Sequence, residues 1–170
     1  MSNSLVNYLY FSQIVNIKKK FFNTELKFFK FFIEITKIVP VFVIIRNPFV
    51  FYFVKPRDFF MAKFFLRKLR YKLNGKKISI IRAETTLLRL IFSFFDDVYI
   101  HNVKLVEKTN GTLIDVLFLF DKDRAVAVGN EGGYIKAVNF IFRNYIFFDT
   151  PFNKIEKDLV EIRCTKTNLY

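Results

Sequence analysis

The sequence is short of the residues on which catalytic and metal sites most often depend. Its 170 residues include one cysteine (Cys164), one histidine (His101) and no tryptophan. A single cysteine excludes an internal disulfide, and one cysteine with one histidine falls short of the three or four protein ligands of a zinc site. No third group is suggested to orient a Cys–His nucleophilic pair. We therefore expect a protein that is not an enzyme and that uses no cofactor or metal.

Acidic side chains are scarce in the first half of the chain. Residues 1–82 carry 17 basic and 3 acidic side chains, whereas residues 83–170 carry 11 basic and 12 acidic ones. The formal net charge of +13 indicates an anionic partner such as nucleic acid or a membrane surface. The division of charge predicts that the two halves contribute unequally to any phosphate affinity.

Glycine is also rare, and three of the five glycines lie within five consecutive residues. The stretch is Val128-Gly129-Asn130-Glu131-Gly132-Gly133-Tyr134-Ile135-Lys136. Because glycine carries no Cβ, two glycines three positions apart let a nucleic-acid backbone approach the main chain closely. Helices are predicted on both sides, over residues 124–128 and 133–146, so residues 129–132 are predicted to form the loop between them.

The neighbouring residues predict an α+β domain. Its elements are a helix over residues 84–95, a hairpin of residues 98–108 and 112–120, and a last strand over residues 159–164. Asn110-Gly111 is a preferred pair for a type I′ turn, in which both positions need a positive φ. The second hairpin strand is apolar on both faces, which is typical of a central strand.

This order of elements, with Val-Gly-x-x-Gly-x-x-Ile-Lys (residues 128–136) behind a strand and opening a helix, resembles the K-homology (KH) domain in its type II arrangement. The resemblance covers about residues 84–164. It implies a three-stranded sheet with helices on one face, and a loop that clamps about four nucleotides of single-stranded RNA or DNA. The pattern looks like the KH units of NusA, the transcription elongation and termination factor, and is also similar to KH-bearing proteins of the small ribosomal subunit.

The resemblance implies RNA contacts in the loop and on the helix that follows it. The residues concerned are Gly129, Asn130, Glu131, Gly132, Lys136 and Arg143. The two glycines would admit the RNA backbone, and the two basic side chains would pair with phosphates. Glu131 departs from the family pattern, in which this part of the loop often includes a basic residue. A carboxylate opposes phosphate binding, so a loop that only packs against protein is the alternative.

Residues 59–82 are predicted to form a basic amphipathic helix followed by a linker or short strand. Apolar residues fall on one arc at about 100° per residue; they are Ala62, Phe65, Leu66, Leu69 and Leu73. Lys63, Arg67 and Arg70 line up beside this arc and are predicted to extend the phosphate track. A docked helix with a solvated charged face is the alternative.

Residues 1–58 form a basic, Phe-rich region without a signal or transit-peptide pattern. Its alternation of lysine and phenylalanine over residues 18–32 suits a packed helix, RNA contact or a membrane surface. Residues 38–54 are strongly apolar, but Arg46 and prolines 40 and 48 oppose a membrane span. Two strands, residues 41–45 and 49–54, are predicted instead, and a membrane is not an expected partner.

We therefore predict three segments: a Phe-rich basic region (1–58), a basic amphipathic helix and linker (59–82), and a KH-like RNA-binding domain (83–170). The function that follows is a NusA-like, single-stranded RNA-binding factor of transcription, with the ribosome or RNA polymerase as further partners. One alternative is a small-subunit ribosomal protein held on rRNA by its basic half. Another is a small membrane-associated protein.

The composition also bears on the compartment. The chain has 25 Phe and 8 Tyr, and it is rich in Lys, Ile and Asn, all of which have AT-rich codons. Such a bias is usual in reduced organelle genomes. It favours an organelle, and a plastid before a mitochondrion.

Overall fold

The computed structural model describes residues 3–17, 21–149 and 159–169, and the chain divides into two compact units. The terminal unit comprises residues 1–18 and 85–170, and the inserted unit comprises residues 19–84. This division differs from the three predicted segments. The predicted boundary after residue 82 lies close to the end of the inserted unit, whereas the one after residue 58 lies within that unit.

Helices and short strands alternate along the chain. In chain order they are α1 (Asn3–Phe11), β1 (Val15–Ile17), α2 (Asn23–Thr36), β2 (Phe42–Arg46), β3 (Phe49–Val54), a 3-10 turn (Pro56–Asp58), α3 (Phe59–Phe64), α4 (Leu66–Lys72), β4 (Lys77–Arg82), α5 (Leu87–Phe94), β5 (Asn102–Lys108), β6 (Gly111–Phe118), α6 (Asp121–Val128), a 3-10 turn (Asn130–Gly132), α7 (Gly133–Tyr145), β7 (Ile146–Phe148) and β8 (Val160–Lys166). The chain is thus α+β, as predicted.

The inserted unit is a three-stranded sheet in the order β2-β3-β4. β2 pairs with β3 in antiparallel orientation, and β4 pairs with β3 in parallel orientation. The parallel pairing requires the chain to cross from one end of the sheet to the other, and α3 and α4 make that crossing. The residues predicted as a linker or short strand are therefore an edge strand of this sheet.

The phenylalanines of the inserted unit build its core. Phe32 of α2, Phe59 of α3 and Leu69 of α4 are buried against alternate residues of β3, namely Val50, Tyr52 and Val54. The Tyr52 ring stacks on Phe32 at a centroid distance of 4.4 Å, and its hydroxyl donates to the Phe28 carbonyl at 3.1 Å. Burial raises the pKa of Tyr52. The sequence left three interpretations of this Phe-rich region open: a packed helix, RNA contact or a membrane surface. For Phe32, which lies in the core, packing is the correct one.

The terminal unit contains a second three-stranded sheet in the order β5-β6-β8, and β1 pairs with β7 in a separate two-stranded sheet. β6 lies between antiparallel β5 and parallel β8. All its residues from Leu113 to Phe118 are buried, which confirms the prediction of a central strand. β8 alternates buried and exposed residues, with Ile162 and Cys164 on its buried face.

The two units share a core order of elements. The inserted unit runs α2-β2-β3-α3-α4-β4, whereas the terminal unit runs α5-β5-β6-α6-α7-β7-β8 after α1 and β1, with β1 and β7 as additions that form their own sheet. Each unit has an antiparallel hairpin, and in each the last strand is parallel to the middle strand. The sequence predicted this order for residues 83–170 alone. The predicted boundary after residue 58 instead cuts through the inserted unit. Its strands 49–54 and 77–82 are far apart in the sequence, and no local sequence pattern indicates that they pair in parallel.

Several predicted elements differ in detail from those observed. The single amphipathic helix predicted within residues 59–82 is broken at Phe65 into α3 and α4. The hairpin turn consists of Thr109 and Asn110, because Lys108 pairs with Gly111, and neither turn residue has a positive φ. The two strands predicted over residues 41–45 and 49–54, by contrast, are confirmed as β2 and β3, and no helix in the described part of the chain is long and apolar enough to cross a membrane. The three lysines at positions 18–20, which begin the Lys–Phe alternation of residues 18–32, lie outside the described residues.

Gly111 begins β6 with a φ of +132°, and its main chain closely approaches the Leu159 carbonyl. A Cβ at this position would be 2.6 Å from the Leu159 oxygen, which also accepts the Thr112 N–H at 3.1 Å. The clash is with main chain, which cannot rotate away. Glycine is therefore required at this position by a close approach as well as by φ.

We expect Gly111→Ala to lower the free energy of unfolding by about 2–3 kcal/mol, since it adds a clash to an unfavourable φ. Gly75→Ala is the matched control, because Gly75 has a φ of +83° and a Cβ added to it would meet nothing within 4 Å. It should cost only about 1 kcal/mol. Urea unfolding followed by circular dichroism measures both. Equal losses would contradict the close approach at Leu159.

Candidate nucleic-acid interface

The predicted loop of residues 129–132, which we call the glycine loop, joins α6 to α7 and has an unusual backbone. Gly129 has φ 77° and ψ 172°, Glu131 has φ 52°, and Gly132 has φ 69°. Three of four consecutive residues thus have positive φ, which side chains with a Cβ adopt at a cost. Asn130 and Glu131 are exposed at its tip.

The two glycines of the loop are needed for different reasons. A Cβ on Gly129 would lie 2.8 Å from the Tyr134 Cβ and 2.9 Å from the Tyr134 nitrogen, so the loop folds back on its own helix there. The nearest neighbour of a Cβ on Gly132 would be the Lys136 side chain, at 3.6 Å from Cε. Gly129 is therefore fixed by internal packing, whereas the space beside Gly132 is bounded by a flexible basic side chain.

The base of the glycine loop is anchored from both sides. Tyr134 donates its hydroxyl to the carbonyl of Phe94, the last residue of α5, and its ring lies edge-on to Phe95 at 6.1 Å. On the other side, α6 is held to β8, because Arg124 Nε donates to the Cys164 carbonyl at 3.3 Å and Lys166 pairs with Asp121 at 2.6 Å. The loop conformation is consequently supported by neighbouring elements on both sides.

Lys136 brings a positive charge to the loop. Its Nζ donates to the Glu131 carbonyl at 3.1 Å, and the side chain is exposed. The helix dipole of α7, whose N-terminus lies at Gly133, adds a partial positive charge at the same place. The Glu131 carboxylate, which the sequence identified as unfavourable for phosphate, is exposed and therefore well solvated.

Arg143 lies seven residues after Lys136 on α7 and is exposed, so the two cations share one side of the helix about two turns apart. Asn139 lies between them, and its spacing of three and four residues from Lys136 and Arg143 would suit the same face. In the structure, however, the Asn139 side chain binds the main chain of β8. Its Nδ2 donates to the Ile162 carbonyl at 2.9 Å, and its Oδ1 accepts the Ile162 N–H at 2.7 Å.

The basic residues predicted at 63, 67 and 70 belong to the inserted unit, whereas the glycine loop belongs to the terminal unit. Arg70 makes a structural contact with β4, because its Nη2 and Nε donate to the Ile78 carbonyl at 3.1 and 3.4 Å. Lys63 Nζ lies 5.5 Å from the centroid of the Phe59 ring. Arg67 is exposed and lines a shallow hollow with Phe64, Phe65, Lys68 and Tyr71.

The sequence did not single out Phe64, Lys68 and Tyr71 as site residues. A signal for the two rings was present, because neither falls on the apolar arc that Ala62, Leu66 and Leu69 define. A large aromatic residue off the buried arc of an amphipathic helix is either exposed or in contact with a partner. Phe64 and Tyr71 are 80% and 81% exposed.

An ionic network lies on the face of β6 and β8 that carries Asp115. Arg163 Nη2 donates to Asp115 Oδ2 at 2.8 Å, and the Thr165 hydroxyl donates to Oδ1 at 2.5 Å. Burial by itself raises the pKa of Asp115, but the hydrogen bonds from Arg163 and Thr165, with the charges of Arg163 and Lys104, outweigh it. The Asp115 pKa therefore lies below its ordinary value of 3.8.

The residues from which catalysis or metal binding would be expected are dispersed. Cys164 is buried on β8, and burial raises the pKa of its thiol to about 12. His101 is exposed before β5. Within residues 3–17, 21–149 and 159–169, no three His, Cys, Asp or Glu side chains are close enough to hold a metal ion together.

No protein-family model matches the sequence, and no curated protein matches it. Among solved structures, the chain is similar to the crystal structure of APE1850, with 20% sequence identity and a TM-score of 0.56. The similarity covers 84% of this chain and the whole of the other. Because neither unit alone makes up 84% of the chain, it includes residues of both. At this identity the likeness concerns the fold alone.

We expect Asn139→Ala to lower the free energy of unfolding by about 2 kcal/mol, because two main-chain groups of Ile162 would lose their partner. Asn144→Ala is the matched control on the same helix. Its Nδ2 donates to the Phe140 carbonyl of its own helix, and it is exposed, so its loss should be below about 0.5 kcal/mol. Equal effects of the two changes in chemical denaturation would contradict a structural role for Asn139.

The Asp115 network predicts a pH dependence of stability. Because the folded-state pKa is lowered, the carboxylate stabilises the fold above its ordinary pKa of 3.8, and this contribution is lost as the pH falls through the folded-state pKa. We expect Asp115→Asn to lose stability at pH 6, and its difference from the wild-type protein to shrink below about pH 4. Unfolding curves over about pH 3–7 measure this. A constant difference would show that ionisation of Asp115 is not responsible.

Proposed function

We propose that the protein is a single-stranded RNA-binding protein, rather than an enzyme, and that the glycine loop holds the RNA backbone. The observation that carries this proposal is the loop conformation itself. Gly129, Glu131 and Gly132 have positive φ, the two glycines carry no Cβ to keep a ligand from the main chain, and Lys136 supplies a cation beside them. A sugar–phosphate backbone is a ligand that needs both a close main-chain approach and positive charge.

The surrounding topology supports a type II KH domain for the terminal unit. The glycine loop joins the two helices that follow the α5-β5-β6 segment, and β8 completes a three-stranded sheet in which it is parallel to the middle strand, with β7 as an addition that pairs with β1. The repeated topology of the inserted unit is compatible with a protein that carries two related units in one chain. On this basis we propose a NusA-like factor of transcription elongation or termination in an organelle, a plastid being favoured by the composition.

The charge distribution favours a second candidate. The inserted unit carries 16 basic and 4 acidic side chains, whereas the terminal unit carries 12 basic and 11 acidic ones. A protein that holds folded rRNA mainly through the inserted unit would show this division, and its glycine loop would pack against protein. The second candidate is therefore a KH-bearing protein of the small ribosomal subunit.

The glycine loop can be tested with two variants that have the same shape and different charge. Asp and Asn both tolerate a left-handed backbone, and a Cβ at Gly132 has the flexible Lys136 side chain as its nearest neighbour. We expect Gly132→Asp to weaken binding of a short single-stranded RNA by at least about tenfold, since a carboxylate would face a phosphate. Gly132→Asn should stay within about threefold of the wild-type protein.

Fluorescence anisotropy over a series of NaCl concentrations provides the measurement, with the thermal unfolding midpoint of each variant as the control for folding. If both variants bind the single-stranded RNA as the wild-type protein does, the glycine loop is not its site. If the protein instead binds a folded hairpin RNA, and that binding disappears when Arg67, Lys68 and Lys72 are changed to Ala, the ribosomal candidate replaces the first one.

A further inference from the structure

The inserted unit exposes aromatic rings at the junction of α3 and α4. Phe60, Phe64 and Tyr71 are 78%, 80% and 81% exposed. Their spacing, together with Arg67 and Lys68, places them on the side of the two helices opposite the buried Phe59, Ala62 and Leu69. We call Phe60, Phe64, Arg67, Lys68 and Tyr71 the aromatic–basic surface.

Part of this surface is concave. Phe64, Phe65, Arg67, Lys68 and Tyr71 line an open hollow of about 410 Å³. Two cations therefore lie between rings rather than beside a continuous apolar strip. No Asp or Glu occurs in residues 59–72, which carry five Lys or Arg side chains. The hollow thus combines aromatic faces with positive charge that no acidic residue of the two helices opposes.

The junction occupies the same place in the inserted unit that the glycine loop occupies in the terminal unit, but it has neither a glycine nor a positive φ. Phe65 is the single residue between the helices and has right-handed φ and ψ of −85° and −2°. Its N–H is bonded to the Ala62 carbonyl at 3.0 Å, and its own carbonyl accepts the Leu69 N–H at 2.9 Å. Phe65 carries a large side chain and no residue of the junction is a glycine, so a ligand cannot approach the main chain closely there and must be held by side chains.

We propose that the aromatic–basic surface is a second site for single-stranded RNA, at which bases stack on Phe64 and Tyr71 while Arg67 and Lys68 pair with the phosphates between them. The proposal takes its ligand class from the proposed function, but it concerns another unit and another mode of contact. Exposed rings that alternate with cations are what sequence-tolerant binding of single strands requires, because every base has a face that can stack.

Other ligands fit the surface less well. A membrane interface is usually bound by one continuous amphipathic helix with its cations on the polar face, whereas this surface is built from two helices of six and seven residues that carry cations between the rings. An acidic protein would satisfy the charge but would not require flat aromatic faces. The difference between an aromatic and an aliphatic side chain therefore separates stacking from apolar docking.

The decisive variant is Phe64→Leu with Tyr71→Leu, which keeps apolar groups at both positions and removes the rings. We expect it to weaken binding of a single-stranded RNA of about 12 nucleotides by about tenfold or more, and Phe64→Trp with Tyr71→Trp to restore binding. Met61→Ala is the matched control, because Met61 is exposed in α3 and does not line the hollow. All the changed side chains are exposed, and circular dichroism checks that each full-length variant is folded.

Two further measurements address the contacts directly. Arg67→Ala with Lys68→Ala should reduce the slope of log affinity against log salt by about 1.4, which corresponds to two phosphate contacts on a single strand. RNA that contains 4-thiouridine should crosslink on irradiation to the peptide of residues 64–71, and the double Leu variant should lose this adduct.

The outcomes also distinguish this site from the glycine loop. If the double Leu variant binds RNA like the wild-type protein and residues 64–71 give no crosslink, the proposal is overturned, whatever Gly132→Asp does. If the Leu variant is weakened and Gly132→Asp is not, the aromatic–basic surface stands and the glycine loop fails. Binding of the wild-type and Leu variants to anionic phospholipid vesicles, without RNA binding by either, would overturn both in favour of a membrane surface.

Discussion

The structure depends on one constraint, which is that the last strand of each unit must run parallel to the middle strand. An antiparallel neighbour can follow a two-residue turn, as β6 follows β5, but a parallel neighbour requires the chain to return to the starting end of the sheet. Two short helices, α3 and α4, make that return in the inserted unit, and α6, the longer α7 and β7 lie on the return in the terminal unit. In each unit the two helices that follow the hairpin meet at a junction, where the chain must change direction within a few residues.

The two units meet this requirement in different ways, and the difference determines what each junction offers a ligand. In the terminal unit, Gly129 and Gly132 adopt positive φ and carry no Cβ, and a lysine lies beside them. In the inserted unit, Phe65 makes the break within right-handed geometry and places a large side chain over the main chain. A junction built on glycine lets a phosphate approach the main chain, whereas a junction built on phenylalanine leaves recognition to rings and cations.

The two units also differ in their net charge. The inserted unit carries most of the excess of Lys and Arg, while acidic residues of the terminal unit are in part engaged in its own structure, as Asp115 is with Arg163 and Asp121 is with Lys166. Attraction of a polyanion should therefore come chiefly from the inserted unit. The terminal unit offers a shaped loop with little net charge, which is better suited to holding a backbone in register than to attracting it from a distance.

Local patterns in the sequence were sufficient for the elements that local interactions form. Gly129 and Gly132 indicated the loop because their positive φ is a property of single residues, and the apolar run of residues 113–118 indicated a central strand. The strands around Arg46-Asn47-Pro48 were recognised because proline and a charge oppose one long helix. The sequence alone thus determined the α+β class and the position of the glycine loop.

Only the tertiary structure decided which residues those elements brought together. The pairing of β4 with β3 joined residues assigned to separate segments, because parallel pairing is set by contacts distant in the chain. Asn139 and Arg70 have helical spacings that suit RNA, yet each is bound to a strand carbonyl, of Ile162 and Ile78 respectively. Periodicity gives the direction of a side chain on its own helix, but the group that it meets depends on the strand packed beside it, and that is a non-local property of the fold.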